Sequence, residues 1–118
     1  PPCFGGRRWN LETYRTTPGS HIPVLPGTNV TALFGPGGNL AGSAGCNSYR
    51  SAFTTSGSDA ISIGPLASTR MFCGEPGVMD QETTYLVLLR TVTSYEMTAD
   101  GKLTLMNPAG IPVLVYTG

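Results

Sequence analysis

Glycine and proline interrupt this chain too often for long regular elements. Sixteen glycines and ten prolines stand among 118 residues, about a fifth of the chain, against roughly 12% in an average soluble protein. Such a content goes with disorder only where apolar residues are scarce. Here they make up 40% of the sequence, with Trp9, four Phe and five Tyr, enough to fill one core. The breakers therefore read as turns between short strands.

The pattern between the breakers supports this. Trp9 to Tyr14 alternates bulky apolar and polar residues, with Trp9, Leu11 and Thr13 on one face. Residues 15–29 contain Pro18, Pro23 and Pro26 and form a long connection, with Ile22, Val24 and Leu25 expected against the core. Residues 30–34 read as a strand. Residues 39–53 read as strand, glycine-marked irregularity, strand, and 60–63 as a further short strand. From Val78 the period changes. Met79, Tyr85, Leu86, Leu89 and Val92 fall at helical spacing, which predicts a helix over about 79–91. Its charged residues Asp80, Glu82 and Arg90 are expected mostly on the solvent side. Residues 94–98, 102–106 and 113–116 then alternate around Asp100-Gly101 and Asn107-Pro108, a three-stranded meander. The reading is one α+β domain over 1–118, mostly antiparallel, with a curved barrel-like sheet wrapping a single helix and a core spanning about 9–116.

Charge narrows function. Seven Lys and Arg balance seven Asp and Glu, which argues against nucleic acid as a partner, since that requires a basic excess or stripe. No run of 18 apolar residues is present to span a membrane as a helix. Membrane association is expected only through an N-terminal anchor outside this sequence. Asn29-Val30-Thr31 has the form of a glycosylation acceptor, a triplet that also arises by chance.

The three cysteines, Cys3, Cys46 and Cys73, form no C-x-x-C pair. A Cys46–Cys73 bridge would close a separation of 27 residues, stabilise the fold by roughly 3–4 kcal/mol and fit an oxidising compartment. Three reduced, buried thiols are the alternative. Other site chemistry is thin. The glycine-rich stretch 35–45 lacks both the G-K-[ST] ending of a phosphate loop and the G-x-G-x-x-G pattern. His21 is the only imidazole, and nothing in its spacing from the cysteines suggests a nucleophilic pair or a metal site. The carboxylates show no close pair, and Arg70 reads as a surface or strand-edge arginine. No metal, cofactor or enzymatic activity is expected.

One combination of motifs is specific. Gly42-x-x-Gly45-Cys46-Asn47-x-Tyr49 is followed by Ile61-Ser62-Ile63, by Thr69-Arg70-Met71-Phe72-Cys73, and by Glu82-x-x-Tyr85-Leu86-x-x-Leu89. This order and spacing, opened by Trp9-x-Leu11, resembles the META domain family, which includes a bacterial heat-inducible envelope protein. The resemblance covers about residues 9–116. It implies a barrel-like sheet with a packed helix, a frequently exported or lipid-anchored protein, and a role as a binding or structural module linked to stress response. It carries over no catalytic residue. Cys46 and Cys73 occupy the family's motif positions, as do Gly45, Asn47, Tyr49 and Thr69. Physically, Gly45 and Asn47 suit unusual backbone angles, buried Tyr49 needs a partner for its hydroxyl, and Thr69 suits a backbone hydrogen bond at a strand end. The long 15–29 connection and Cys3 depart from the family's usual pattern. The alternative function is a secreted inhibitor or partner-binding protein using the Pro-rich 18–27 loop, with Pro23 and Pro26 as rigid contacts. The partner, a protein or a small ligand, is not named by the sequence.

Overall fold

The computed structural model describes residues 4–16 and 19–118. Cys3 and Pro18 lie outside the described residues. Ten strands and one helix follow in order: β1 (Arg8–Arg15), β2 (His21–Pro23), β3 (Thr31–Phe34), β4 (Asn39–Ser43), β5 (Ser48–Ser56), β6 (Ala60–Ile63), β7 (Ala67–Ser68), α1 (Val78–Thr91), β8 (Ser94–Met97), β9 (Leu103–Met106) and β10 (Pro112–Thr117). Eight strands close an antiparallel barrel in the order β1-β3-β4-β5-β6-β8-β9-β10, and β10 returns to β1. Closure removes the exposed sheet edges that a flat sheet of short strands would present.

Alternation places the core inside. Trp9, Phe34, Leu40, Leu103, Leu105, Leu114 and Tyr116 are fully buried, and α1 adds Tyr85 and Leu89. The predicted helix differs from the observed one by a single residue at its start. Two expectations change in β1 and before it. A register shift between Leu11 and Thr13 where β1 meets β10 turns Tyr14 inward and leaves Thr13 half-buried, because a bulge reverses the alternation. The core, expected to begin at about residue 9, also takes in the segment before β1. Phe4 is fully buried, packs edge-on against Phe34 and Tyr95, and its carbonyl accepts the Trp9 indole N–H at 2.8 Å.

The 15–29 connection is not a free loop. Its β2 pairs with the second half of β1, through Arg15–His21, Tyr14–Ile22 and Thr13–Pro23. It continues the edge whose first half is covered by β3. Val24 packs against the core, while Ile22, expected to tuck inward, is 37% exposed; β2 is a three-residue edge strand with all of its residues exposed.

Candidate functional site

The cysteine motif spans the connection between β4 and β5, and both of its glycines have steric causes. A Cβ on Gly42 would meet the Thr31 carbonyl oxygen at 2.0 Å. Gly45 turns the chain at φ +113°, a conformation L side chains rarely adopt. Asn47 has no such backbone; among the described residues no non-glycine has positive φ. Its side chain, not its dihedral angles, explains its place.

Asn47 is buried, and its amide is fully engaged. Oδ1 accepts from the Thr69 hydroxyl at 2.8 Å and the Met71 N–H at 2.6 Å. Nδ2 donates to the Met71 carbonyl at 3.1 Å and to Glu82 Oε2 at 2.7 Å. Two acceptor and two donor positions are the whole capacity of an amide. The orientation is determined as well, since the reverse would set oxygen against carboxylate. Glu82 Oε1 accepts the N–H groups of Cys46 at 3.1 Å and Asn47 at 2.6 Å. A carboxylate buried to 5% exposure is thus held by three donors, which offset its desolvation. Thr69 Oγ1 also accepts the Ser48 N–H at 3.2 Å at the start of β5, the role expected of it.

The Cys46–Cys73 disulfide, with Cα atoms 6.0 Å apart, closes the same arrangement. Three elements meet here: the β4–β5 turn, the segment after β7 and the first turns of α1. Together they fix residues 69–73 against the barrel and leave Met71 and Phe72 outside, 56% and 83% exposed. With both cysteines bonded, neither is available to His21 as a metal ligand or nucleophile. His21 instead lies on the outside, with Nε2 3.0 Å from the Pro112 carbonyl.

Behind the clamp runs a buried chain of hydroxyls. Tyr49 Oη lies 2.7 Å from the Thr31 carbonyl and 2.7 Å from Tyr85 Oη, which lies 2.8 Å from Tyr116 Oη. A carbonyl only accepts, so Tyr49 donates to Thr31, Tyr85 to Tyr49, and Tyr116 to Tyr85. Burial pushes all three phenols above their usual range, because the interior disfavours a phenolate.

Gly45, Cys46, Asn47, Tyr49, Thr69 and Cys73 therefore form one structural neighbourhood. Pro23 and Pro26 lie on a different segment, hooked to α1 by Gln81. Its Oε1 accepts the Leu25 N–H at 2.8 Å and its Nε2 donates to Thr28 Oγ1 at 3.0 Å. Glu82 corrects the expectation of a wet side for the charges of the helix; Asp80 and Arg90 are exposed, Glu82 is not. A signal for it was present. Glu82 stands three residues before Tyr85, and residues at that spacing share a helix face.

The fold and the clamp define a small eight-stranded antiparallel barrel with one packed helix and a disulfide-held loop. The chain belongs to the META domain family, whose model matches residues 3–117. It is similar to an NMR structure of a protein from Burkholderia xenovorans, 25% identical, with TM-score 0.76 over 97% of this chain and 82% of that one. A second NMR structure matches at 25% identity and TM-score 0.65 over 93% and 86% of the two chains. The crystal structure of a DUF4847 family protein from Bacteroides vulgatus shares the fold at TM-score 0.66 and 13% identity, over 98% and 94%. No curated protein sequence matches the chain.

Proposed function

We propose that this protein is an exported, non-enzymatic binding module of the cell envelope that presents the 69–73 loop to a partner. The observation that carries the reading is the contrast within that loop. Its backbone is held by Asn47, Thr69 and the disulfide, while Phe72 is 83% exposed. A rigid loop with an uncovered aromatic loses little entropy on docking, and aromatics are enriched at the centres of interfaces. The absence of enzymatic activity is supported by the commitment of the Asn47 and Glu82 side chains to internal hydrogen bonds. Export is supported by the disulfide, which persists in oxidising compartments.

The test is fractionation of the producing cell with thiol alkylation before lysis. Recovery in the envelope or outside the cell, with Cys46 and Cys73 unreactive until reduced, is the expected result. Cytosolic protein with alkylated cysteines rejects export. Phe72→Ser is expected to abolish envelope retention at an unchanged melting temperature; unchanged retention rejects the loop as the contact. A link to stress response is tested by heat challenge of a deletion strain. The second reading, a secreted partner-binding protein using 18–27, is favoured by the exposure of Pro23 and Pro26 on a segment tied down by β1 and Gln81. Replacing both prolines tests it, with loss of capture at unchanged stability expected.

A further inference from the structure

The formal neutrality of the chain conceals an uneven distribution of charge on the barrel. Pairing registers align Arg8 of β1 with Leu33 of β3, Leu33 with Ala41 of β4, Ala41 with Arg50 of β5, and Arg50 with Ala67 of β7. All five are exposed, so they form one transverse row on the outer face. Arg8 and Arg50 are three strands apart, about 14 Å at roughly 4.8 Å per strand. Among the described residues neither has an ion pair; the one present joins Lys102 to Glu12 at 2.8 Å.

The surface around them is concave and polar. A depression of about 600 Å³ lies over β1, β3 and β4, lined by Arg8, Asn10, Asn29, Thr31 and Ser43 around Ala41 and Gly42. A second, of about 260 Å³, is lined by Arg50, Ser48 and Thr69 over β5 and β7. No Asp or Glu lines either one, whereas Asp59 and Glu96 line a separate depression beside β8.

We infer that this face binds an acidic polysaccharide. Two unpaired guanidinium groups suit carboxylates, which they grip bidentately. The amides and hydroxyls between them suit a ligand rich in hydroxyl groups, and Leu33 and Ala41 give a low apolar floor. Two cations over about 14 Å are too sparse for nucleic acid, which presents a phosphate roughly every 3.4 Å of each strand. The second depression meets the 69–73 loop only at Thr69, and Phe72 lines neither depression, so variants of Phe72 and of the two arginines test the two readings separately.

The test is titration of the purified chain with a linear polyuronate, with neutral dextran and single-stranded DNA as competing outcomes, at low and at physiological salt. Saturable polyuronate binding that weakens with salt is expected. The Arg8→Ala/Arg50→Ala double variant is expected to weaken it at least tenfold. Ala41→Glu, which sets an acid between the two cations, is expected to abolish it. Phe72→Ser is expected to leave it unchanged. All three variants change exposed side chains, and an unchanged melting temperature checks that they fold. Failure to bind polyuronate, equal binding of dextran or DNA, or binding indifferent to Arg8, Arg50 and Ala41 overturns the inference.

Discussion

Every donor and acceptor of the Asn47 amide meets an internal partner, and its neighbour Glu82 is held by three donors. This makes the pair sensitive to changes that preserve shape. In Glu82→Gln one acceptor oxygen becomes an NH₂ group, and either orientation of the new amide sets N–H against N–H. A loss of about 1–3 kcal/mol is expected, read as a lower urea midpoint. Asn47→Asp sets one carboxylate against another and is expected to cost at least as much. If both variants unfold at the wild-type midpoint, the clamp contributes nothing to stability. At Gly42 the obstacle is backbone, since a methyl group would meet the Thr31 carbonyl oxygen at 2.0 Å and Tyr49 Oη at 2.9 Å. Gly42→Ala must therefore move β3 away from β4, which also disturbs the hydrogen bond from Tyr49 Oη to the Thr31 carbonyl.

The helix ties the clamp to the core. On one face α1 carries Gln81 to the 24–28 segment, Glu82 to the cysteine motif, and Tyr85 to the hydroxyl chain. Tyr85 is the middle link of that chain, and removal of its hydroxyl strands the Tyr116 proton in the interior. Tyr116→Phe removes only the terminal donor. Tyr85→Phe is thus expected to cost about 1–3 kcal/mol and Tyr116→Phe less; the reverse order in denaturant midpoints contradicts the proton direction derived from Thr31. The first turns of this helix were only half legible in sequence. The spacing of its apolar residues placed the helix within one residue, but charge alone suggested a wet Glu82. The partners that reverse this lie 35 and 36 residues away, beyond the reach of any local pattern.

For the molecule as a whole, the disulfide and the tyrosine chain respond to different conditions. Replacing Cys46 and Cys73 together by serine is expected to lower stability by roughly 3–4 kcal/mol. The far-UV spectrum should persist, because barrel closure rests on strand pairing rather than on the bridge; loss of the β signal would contradict this. At high pH the tyrosines govern. Tyr49, Tyr85 and Tyr116 ionise above their ordinary value of about 10 when folded but near it when unfolded. The unfolded chain therefore binds fewer protons above about pH 10, and stability falls as pH rises. Their contribution is complete below pH 10 and is lost above it, at up to about 1.4 kcal/mol per pH unit for each tyrosine. Denaturant midpoints between pH 8 and 11, followed with phenolate absorbance, check this; Tyr49, Tyr85 and Tyr116 should titrate only as the barrel unfolds.

Local chemistry was enough to determine most of the elements of this protein. Turn residues, two-residue alternation and one helical stripe act within a few positions, so β1, α1 and the closing meander followed from the sequence. The motif glycines and cysteines were visible there too, with the backbone angle of Gly45 and the bridge between the cysteines, but the approach of the Thr31 carbonyl to Gly42 was not. Tertiary structure alone decided the closure of β10 onto β1, the capture of the 15–29 connection as β2, the entry of Phe4 into the core and the burial of Glu82. It alone brought Arg8 and Arg50 into one row. Each of these joins residues distant in the chain, and the direction a side chain faces is set by a bulge, a register or a partner that the local pattern does not contain.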